Sequence, residues 1–378
     1  MEIFRIIFAI IATLVLVGIN FYAYRRFLSK IGFLKDYVRF MKWFFILLVV
    51  SELFYFITLR SGSMPSWLFT LFSSFVGVSF MLFIVAIVYD IFHIPLNKVP
   101  FDKSRRLMLK TILDVTMLIL AFSYMIKGFF NGFKKPILRE VEIRIKGLKK
   151  ELNIVQISDV HIGKSLGKEF LDDIVKKLNS LDADIVVITG DLVDLHVSEI
   201  GDKLDSIKDI KSKYGVYFVS GNHEYFHGVE AICEYIKSLH VKVLTNESVV
   251  IDNIINLAGI TDLMGRRLGI LEPDLQKALL HVEPKLPTVL LAHQPKITKE
   301  LKDENIDLIL SGHTHAGQIF PFGLLVMLDQ PYLSGLYKHS EKTQIFVSSG
   351  AGYWGPPIRV FAPSEIVKIT LDFLHNPL

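Results

Sequence analysis

Five short runs in the second half of the chain gather carboxylates, imidazoles and one amide at spacings that suit metal ligation. They are Ser158-Asp159-Val160-His161, Gly190-Asp191-Leu192-Val193-Asp194, Gly221-Asn222-His223-Glu224, Ala292-His293 and Gly312-His313-Thr314-His315. Carboxylate, imidazole and amide oxygen are ligands for borderline divalent ions such as Mn, Fe and Zn. No thiolate accompanies them, which argues against a structural zinc site. The candidates Asp159, His161, Asp191, Asn222, His293, His313 and His315 are too many for one ion. A pair of ions sharing one carboxylate uses about that number once water is counted. In Asp-x-His and His-x-His, alternate residues lie on the same side of an extended segment. The glycines before Asp191, Asn222 and His313 permit tight turns and close approach to an ion. Taken singly, each run is an ordinary loop or cap; the ordered set carries the inference.

Something must bring these distant runs together. Each follows an apolar stretch that reads as a strand: Leu152–Ile157, Ile185–Thr189, Val216–Ser220, Thr288–Ala292 and Leu308–Ser311. Further strands are expected at Ile255–Gly259, Ile345–Ser348 and Ile366–Leu371. Their nearly continuous Val and Ile content fits strands covered on both faces. Helical periodicity occupies Gly167–Leu181 and Val229–Leu239, and Pro273 after Glu272 is placed to open a third helix. Such alternation predicts a layered α/β domain. In an open α/β sheet, ligands collect at the carboxyl ends of the strands, where all five runs would meet.

The first 130 residues have another character. Half of the chain is hydrophobic and 29 residues are Phe, concentrated in stretches near Ile6–Tyr24, Trp43–Leu59, Trp67–Tyr89 and Leu107–Ile126. Each approaches or exceeds the roughly 20 apolar residues that cross a bilayer, with Trp43, Trp67, Tyr89 and Tyr124 near the ends as interfacial aromatics. Arg25-Arg26, rather than a small-residue cleavage site, follows the first stretch, so an uncleaved anchor is expected. The loops holding Arg25 to Lys42 and Lys98 to Lys110 are basic, whereas the second loop has only Arg60. The positive-inside rule puts the basic loops in the cytoplasm, and both termini and the soluble half outside, as for a protein of the plasma or inner membrane. The expected organisation is a transmembrane region over 1–130, a basic juxtamembrane linker over 131–150 and a catalytic domain over 151–378. That linker either lies on anionic headgroups or is simply solvated. Glu52 lies mid-span, as a functional group or a snorkelling one. The single Cys233 sits on an apolar helical face, as a buried hydrophobe, and a net charge of +4 suggests no nucleic-acid partner.

The ordered runs, together with Ala316-Gly317-Gln318, Gly335-Leu336-Tyr337, Ser349-Gly350-Ala351-Gly352 and Pro357-Ile358-Arg359, resemble the calcineurin-like metallophosphoesterases. The resemblance covers about Leu152 to Leu371 and is similar to the bacterial membrane-associated phosphodiesterases and the transmembrane branch of that superfamily. It implies a β-sandwich flanked by helices with two divalent ions at one edge. Asp159, His161, Asp191 and His315 would hold the first ion, with Asp191 bridging; Asn222, His293 and His313 would complete the second. Two such ions clamp a phosphoryl group and lower the pKa of a bridging water, whose hydroxide attacks phosphorus in line. His223 would face the substrate as general acid, and Asp194 either orients a ligand or His223, or caps a loop. Arg266 and Arg267 are candidate anion contacts, while Tyr225, Phe226, His227 and Lys164 are candidate pocket residues. The expected substrate is a phosphorylated small molecule or lipid, cleaved at a monoester, diester or pyrophosphate bond. A tethered enzyme for soluble esters and a non-enzymatic membrane sensor are the alternatives.

Overall fold

The computed structural model describes residues 2–58, 64–302 and 304–373; the loop cation Arg60 lies outside them. The chain divides into a unit of residues 1–133 with 355–358, and a unit of residues 134–354 with 359–378.

In the first unit, α1 (Glu2–Arg26), α2 (Val38–Thr58), α3 (Ser66–Lys98) and α4 (Lys103–Gly132) are each long and apolar enough to cross a membrane. Three of their carboxylates are satisfied inside the unit, as an apolar surrounding demands. Glu52 is fully buried and accepts from the Asn20 amide at 3.0 and 3.1 Å, so it does not snorkel. Asp90 accepts from Tyr22 at 2.7 Å and pairs with Arg26 at 2.6 Å. Asp114 gathers the Tyr89 hydroxyl, the Lys110 ammonium and the Gly32 amide.

The second unit contains two six-stranded sheets. One has β1 (Ile137–Ile145), β2 (Leu152–Ile157), β3 (Ile185–Thr189), β4 (Val216–Val219), β5 (Lys242–Val243) and β12 (Glu365–Phe373), in the order β1-β12-β2-β3-β4-β5. The other has β6 (Glu247–Ile251), β7 (Ile255–Gly259), β8 (Thr288–Leu291), β9 (Leu308–Ser311), β10 (Gly335–Lys338) and β11 (Gln344–Val347), in the order β10-β11-β9-β8-β7-β6. Ile154, Val187, Val219, Leu257, Val289, Leu310 and Phe346 form one buried cluster drawn from both sheets. The alternate residues Val155, Val186, Ile188 and Phe218 pack on the far face with α5 (Lys168–Leu178) and α6 (Val229–Ser238). Both faces of the central strands are therefore covered, which explains their uninterrupted hydrophobicity. This is the helix-flanked sandwich that the family resemblance implies.

The differences are at the edges. Residues 137–145, expected within a linker, form β1, paired in parallel with β12 from Ile137 opposite Glu365 to Ile145 opposite Phe373. Ile143 and Ile145 point inward while Glu142 and Arg144 face solvent, a period-2 pattern diluted by the surrounding cations. Pro273 does not start a helix; Asp274 caps the short one at Leu275–Ala278 by accepting from the Lys277 amide, the ordinary N-cap preference.

Candidate metal centre

β2, β3 and β4 are parallel, as are β8 and β9, so each group delivers its carboxyl ends in one direction. Gln156 joins the two sheets just below, donating to the Thr189 hydroxyl at 2.8 Å and the Ser311 carbonyl at 3.0 Å. Beyond the strand ends the loops interlock through their backbones. The Asp159 amide donates to Gly190 at 3.0 Å, the His161 amide to Asp191 at 3.1 Å, and the Gly312 amide to His293 at 2.9 Å. Gly190 has φ +85°, and a Cβ there would lie 2.6 Å from His293 Nδ1 and 2.7 Å from the Gly221 nitrogen. Only glycine allows that approach. Asp159, His161, Asp191, His313 and His315 themselves have φ between +48° and +72°. Non-glycine residues rarely occupy that region; such strain clusters where surrounding structure enforces a functional geometry.

Three groups of donor atoms result among the described residues, one of them His161, Asp194 and His223. Asp159, His161 and His315 offer atoms within 4.8 Å of one another, and Asp191, His293 and His313 do the same. His161 Nε2 faces His315 Nε2 at 3.0 Å. His293 Nε2 faces Asn222 Oδ1 at 3.1 Å and Asp191 Oδ2 at 3.2 Å. The outer ring nitrogens define what these contacts are. His161 Nδ1–H donates to Asp194 at 2.9 Å, and His293 Nδ1–H donates to the Thr189 carbonyl at 2.8 Å. With Nδ1–H directed outward, Nε2 of each ring points inward, that of His293 at the oxygens of Asn222 and Asp191 and that of His161 at the His315 ring. Only a proton or a cation reconciles such a set, and an outward Nδ1–H held by an oxygen is the arrangement metal-bound histidines adopt. The residues fit divalent ions.

Electrostatics agree. Burial, then the charge of His293, pushes His313 down to about 3. Burial, with His161 and Arg359 close by, holds His315 well below its usual range. Both rings are thus kept neutral, the ligating form. Burial opposes charge on His293, but Asp191 outweighs it and raises that imidazole well above its usual range. A proton occupies the place a cation would take.

His223 stands beside the other two groups. Its Nδ1 lies 2.7 Å from Asp194 Oδ1, the oxygen that also receives His161, and its amide donates to Asp191 Oδ1 at 2.8 Å. Asp194 therefore orients two histidines at once, rather than capping a loop. Burial opposes the charge on His223, yet Asp194 and Asp191 prevail and raise it to about 9. Phe226 and Trp354 pack edge-on against its ring at 5.5 and 5.8 Å.

The four substrate-contact candidates differ in their surroundings. Arg266 is engaged by Glu300 through both terminal nitrogens, at 2.5 and 2.6 Å, so its fork is used within the fold instead of being presented to a phosphate. Arg267 is exposed on the same short helix, Met264–Leu268. Tyr225 is buried, its hydroxyl donating to the Leu271 carbonyl at 2.6 Å, which makes it a core contact and not a pocket wall. His227 packs on the His196 ring at 5.1 Å and accepts from it through its carbonyl.

Two residues quoted for their motifs have roles that spacing alone does not reveal. The Glu224 carboxylate is fully buried and accepts from the amides of Gly221, Asp191, Leu192 and Val193 at 2.7 to 3.2 Å. It staples the β3 and β4 loops together; a glutamate three residues after a helix start is the detectable signal. Replacing it with glutamine turns an amide N–H toward amide donors, and we expect a stability loss of about 2–4 kcal/mol, read as a lowered unfolding midpoint. Arg359 is fully buried and lies 3.2 Å from His315 Nδ1, donating to the carbonyls of Ser349, Gly352 and Ala362. Burial lowers it to about 10, so it remains a cation. Gly352 in turn donates to the Asp159 carbonyl at 2.9 Å. We expect Arg359→Met to weaken metal affinity about 10–100-fold, as loss of an outer partner of a ligand does. Arg359→Lys should fall between, because an ammonium cannot reproduce the planar fork; metal titration by atomic emission checks both.

Comparisons with known proteins agree on the family. A family model described as calcineurin-like phosphoesterase matches residues 152–317. An uncharacterized metallophosphoesterase of Helicobacter pylori is 43% identical over 95% of this chain and 96% of its own length. A transmembrane protein with metallophosphoesterase domain from Danio rerio is 38% identical over 68% of this chain and 62% of its own. A UDP-2,3-diacylglucosamine pyrophosphatase of Chlamydia muridarum is 29% identical over 57% of this chain and 82% of its own. The strand-end loops, the convergent donors and these relatives together establish that the chain belongs to the calcineurin-like metallophosphoesterases, as a phosphate-ester hydrolase carrying four apolar, membrane-type helices.

Proposed function

We propose that this chain is a membrane-anchored, dinuclear phosphoesterase whose substrate is lipid-linked or carried in the envelope, cleaved at a phosphomonoester, phosphodiester or pyrophosphate bond. The observation that carries the dinuclear reading is the pair of donor groups, Asp159, His161 and His315 beside Asp191, His293 and His313. The Asp191 carboxylate lies between them, with Oδ2 3.2 Å from His293 Nε2 and 3.9 Å from His161 Nε2. Asp191 would be the ligand shared by both ions in this reading, and Asn222 would complete the second set. The ions, Mn, Fe or Zn, supply Lewis acidity to the phosphoryl oxygens and to a nucleophilic water.

The chain's own groups do the rest. Asp194 holds Nδ1–H of both His161 and His223, so His161 turns a lone pair inward and His223 carries a proton at Nε2. That proton passes to the leaving oxygen. Glu224 fixes the backbone that carries Asp191 and Asn222. Arg359 holds the Ser349–Gly352 loop against Asp159. The lipid-linked part of the reading is supported by the four membrane-type helices and by the acylated nucleotide substrate named for the Chlamydia muridarum relative. On the loop charges, the catalytic unit faces outward from a plasma or inner membrane.

The test compares bis-p-nitrophenyl phosphate with a diacylated UDP-sugar, using full-length protein in proteoliposomes supplied with Mn²⁺. Preferential turnover of the acylated substrate is expected. Equal turnover of an analogue lacking the acyl chains would favour the tethered enzyme for soluble esters. Hydrolysis of neither would leave the sensor.

A further inference from the structure

The loop that carries His313 and His315 continues into Ile319 to Leu328, ten consecutive residues without a charge. A run this short cannot cross a bilayer. It is nevertheless ordered. The Phe322 amide donates to Ile319 at 2.8 Å, Met327 to Gly323 at 3.0 Å and Gln330 to Val326 at 2.9 Å. This turn of helix buries Gly323 and presents its large side chains outward: Leu324 is 63%, Leu325 57%, Met327 53% and Leu328 81% exposed. Phe361, itself exposed, meets Phe320 edge-on at 5.7 Å and widens the face. Ordered, contiguous apolar surface of this kind is rare on proteins surrounded only by water and marks a binding face.

The occupant follows from the chain itself. The last apolar helix, α4, ends at Gly132 and β1 begins at Ile137. The intervening links reach at most about 18 Å when fully extended, so the catalytic unit is tethered close to the lipid surface. Residues 355–358, which precede Phe361 in sequence, group with the helical unit. Short, charge-free, outward-facing apolar elements on a membrane-tethered unit suit the headgroup–acyl boundary. The face is also continuous with the metal centre. Trp354, against the His223 ring at 5.8 Å, exchanges two hydrogen bonds of 3.0 Å with the Gln318 side chain, and Gln318 adjoins the apolar run.

We propose that residues 320–328, with Phe361, form a lipid-seated face that inserts into the bilayer interface on the catalytic unit's own side. Acyl chains of the substrate pass over this face toward Trp354 while the phosphate reaches the metal centre. The second statement rests on the lipid-linked reading above; the first does not.

The test uses full-length protein reconstituted in phosphatidylethanolamine–phosphatidylglycerol vesicles, with an environment-sensitive fluorophore on Leu325→Cys, Leu328→Cys or, as control, Glu341→Cys, whose side chain is 96% exposed. Cys233 is buried and stays in place, with unsubstituted protein reporting any background labelling. Turnover of bis-p-nitrophenyl phosphate verifies that each variant is folded. The proposal expects blue-shifted emission at 325 and 328, quenched by doxyl-labelled lipid several-fold more strongly than at 341. Quenching no stronger than at 341 overturns it. A blue shift without lipid quenching overturns it too, because the cover is then protein, either the chain's own helices or a second copy. Doubly substituted L325Q/L328Q protein should lose about tenfold or more in turnover of the acylated substrate, given the burial of two leucines, with the soluble ester unaffected. Lipid quenching without that loss upholds the membrane seat and removes the lipid-linked reading.

Discussion

Asp191→Asn protein will bind less metal than the unsubstituted chain and will lose turnover by at least about 10³-fold, as expected when charge stabilisation at a phosphoryl group is dismantled. Asp191 is buried and takes part in nearly every contact of the centre. Its Oδ2 lies 3.2 Å from His293 Nε2 and 3.9 Å from both His161 and His223 Nε2, while its Oδ1 accepts the His223 amide. Burial works against its charge, yet His293 and His223 hold the carboxyl well below the usual range. Asparagine has nearly the same shape and keeps one oxygen. It removes the negative charge that two cations would share, and it cannot offer two equivalent oxygens. A fold defect is a poor explanation for the loss, because the Glu224 staple holds the backbone of residues 191–193 independently of the Asp191 side chain. Steady-state kinetics beside metal analysis on the same sample check the prediction, and an unchanged metal content with unchanged turnover would refute it.

His223→Gln should separate substrates by their leaving groups. For alkyl esters, whose alkoxide is a poor leaving group, kcat should fall by about 10²–10⁴, the usual contribution of a positioned acid. For p-nitrophenyl esters the loss should be far smaller, because nitrophenolate departs without a proton. The position supports this role: the ring is held through Nδ1 by Asp194 at 2.7 Å, and Nε2 is directed toward the Asp191 side of the centre. The pH profile supplies a second check. Asp194 and Asp191, against the opposing effect of burial, raise His223 to about 9. An acid must be protonated to act, so kcat for alkyl esters should decline as pH rises through its pKa. Bound cations would oppose the imidazolium and would move this alkaline limb below pH 9. The limb should vanish in His223→Gln. Equal losses for both leaving groups would assign His223 to holding the phosphoryl group instead.

What the sequence revealed, and what it concealed, follows from where information about each feature resides. β2, β3, β7 and β9 match their expected ranges because strands covered on both faces are continuous apolar runs; Ile185–Thr189 is buried at every position. β1 escaped because only one of its faces is buried and its alternation, Val141, Ile143, Ile145 against Glu142 and Arg144, lies in a basic stretch. β5, with two residues, is too short for a period to register, and in β10 only Gly335 is buried, so no apolar run marks it. The convergence of the candidate ligands was legible because each follows its strand directly. Their left-handed backbone was not, since nothing in Asp-x-His specifies a positive φ. The functions of Glu224 and Arg359 arise from partners distant in sequence, such as Leu192 and His315. Arg266 shows the reverse case. An arginine in a glycine-bounded loop suggests an anion site, and only the fold reveals Glu300 already across from it.

The central claim is that the convergent donors hold two ions that act together. The most direct measurement is metal stoichiometry against activity: full-length protein, stripped by chelator and titrated with Mn²⁺, with bound metal counted by atomic emission and phosphodiesterase turnover followed in parallel. Binding should level off at two ions per chain, with turnover rising as the second is taken up, and below two with no turnover in Asp191→Asn. Full turnover at one ion per chain, or with none, would contradict that claim.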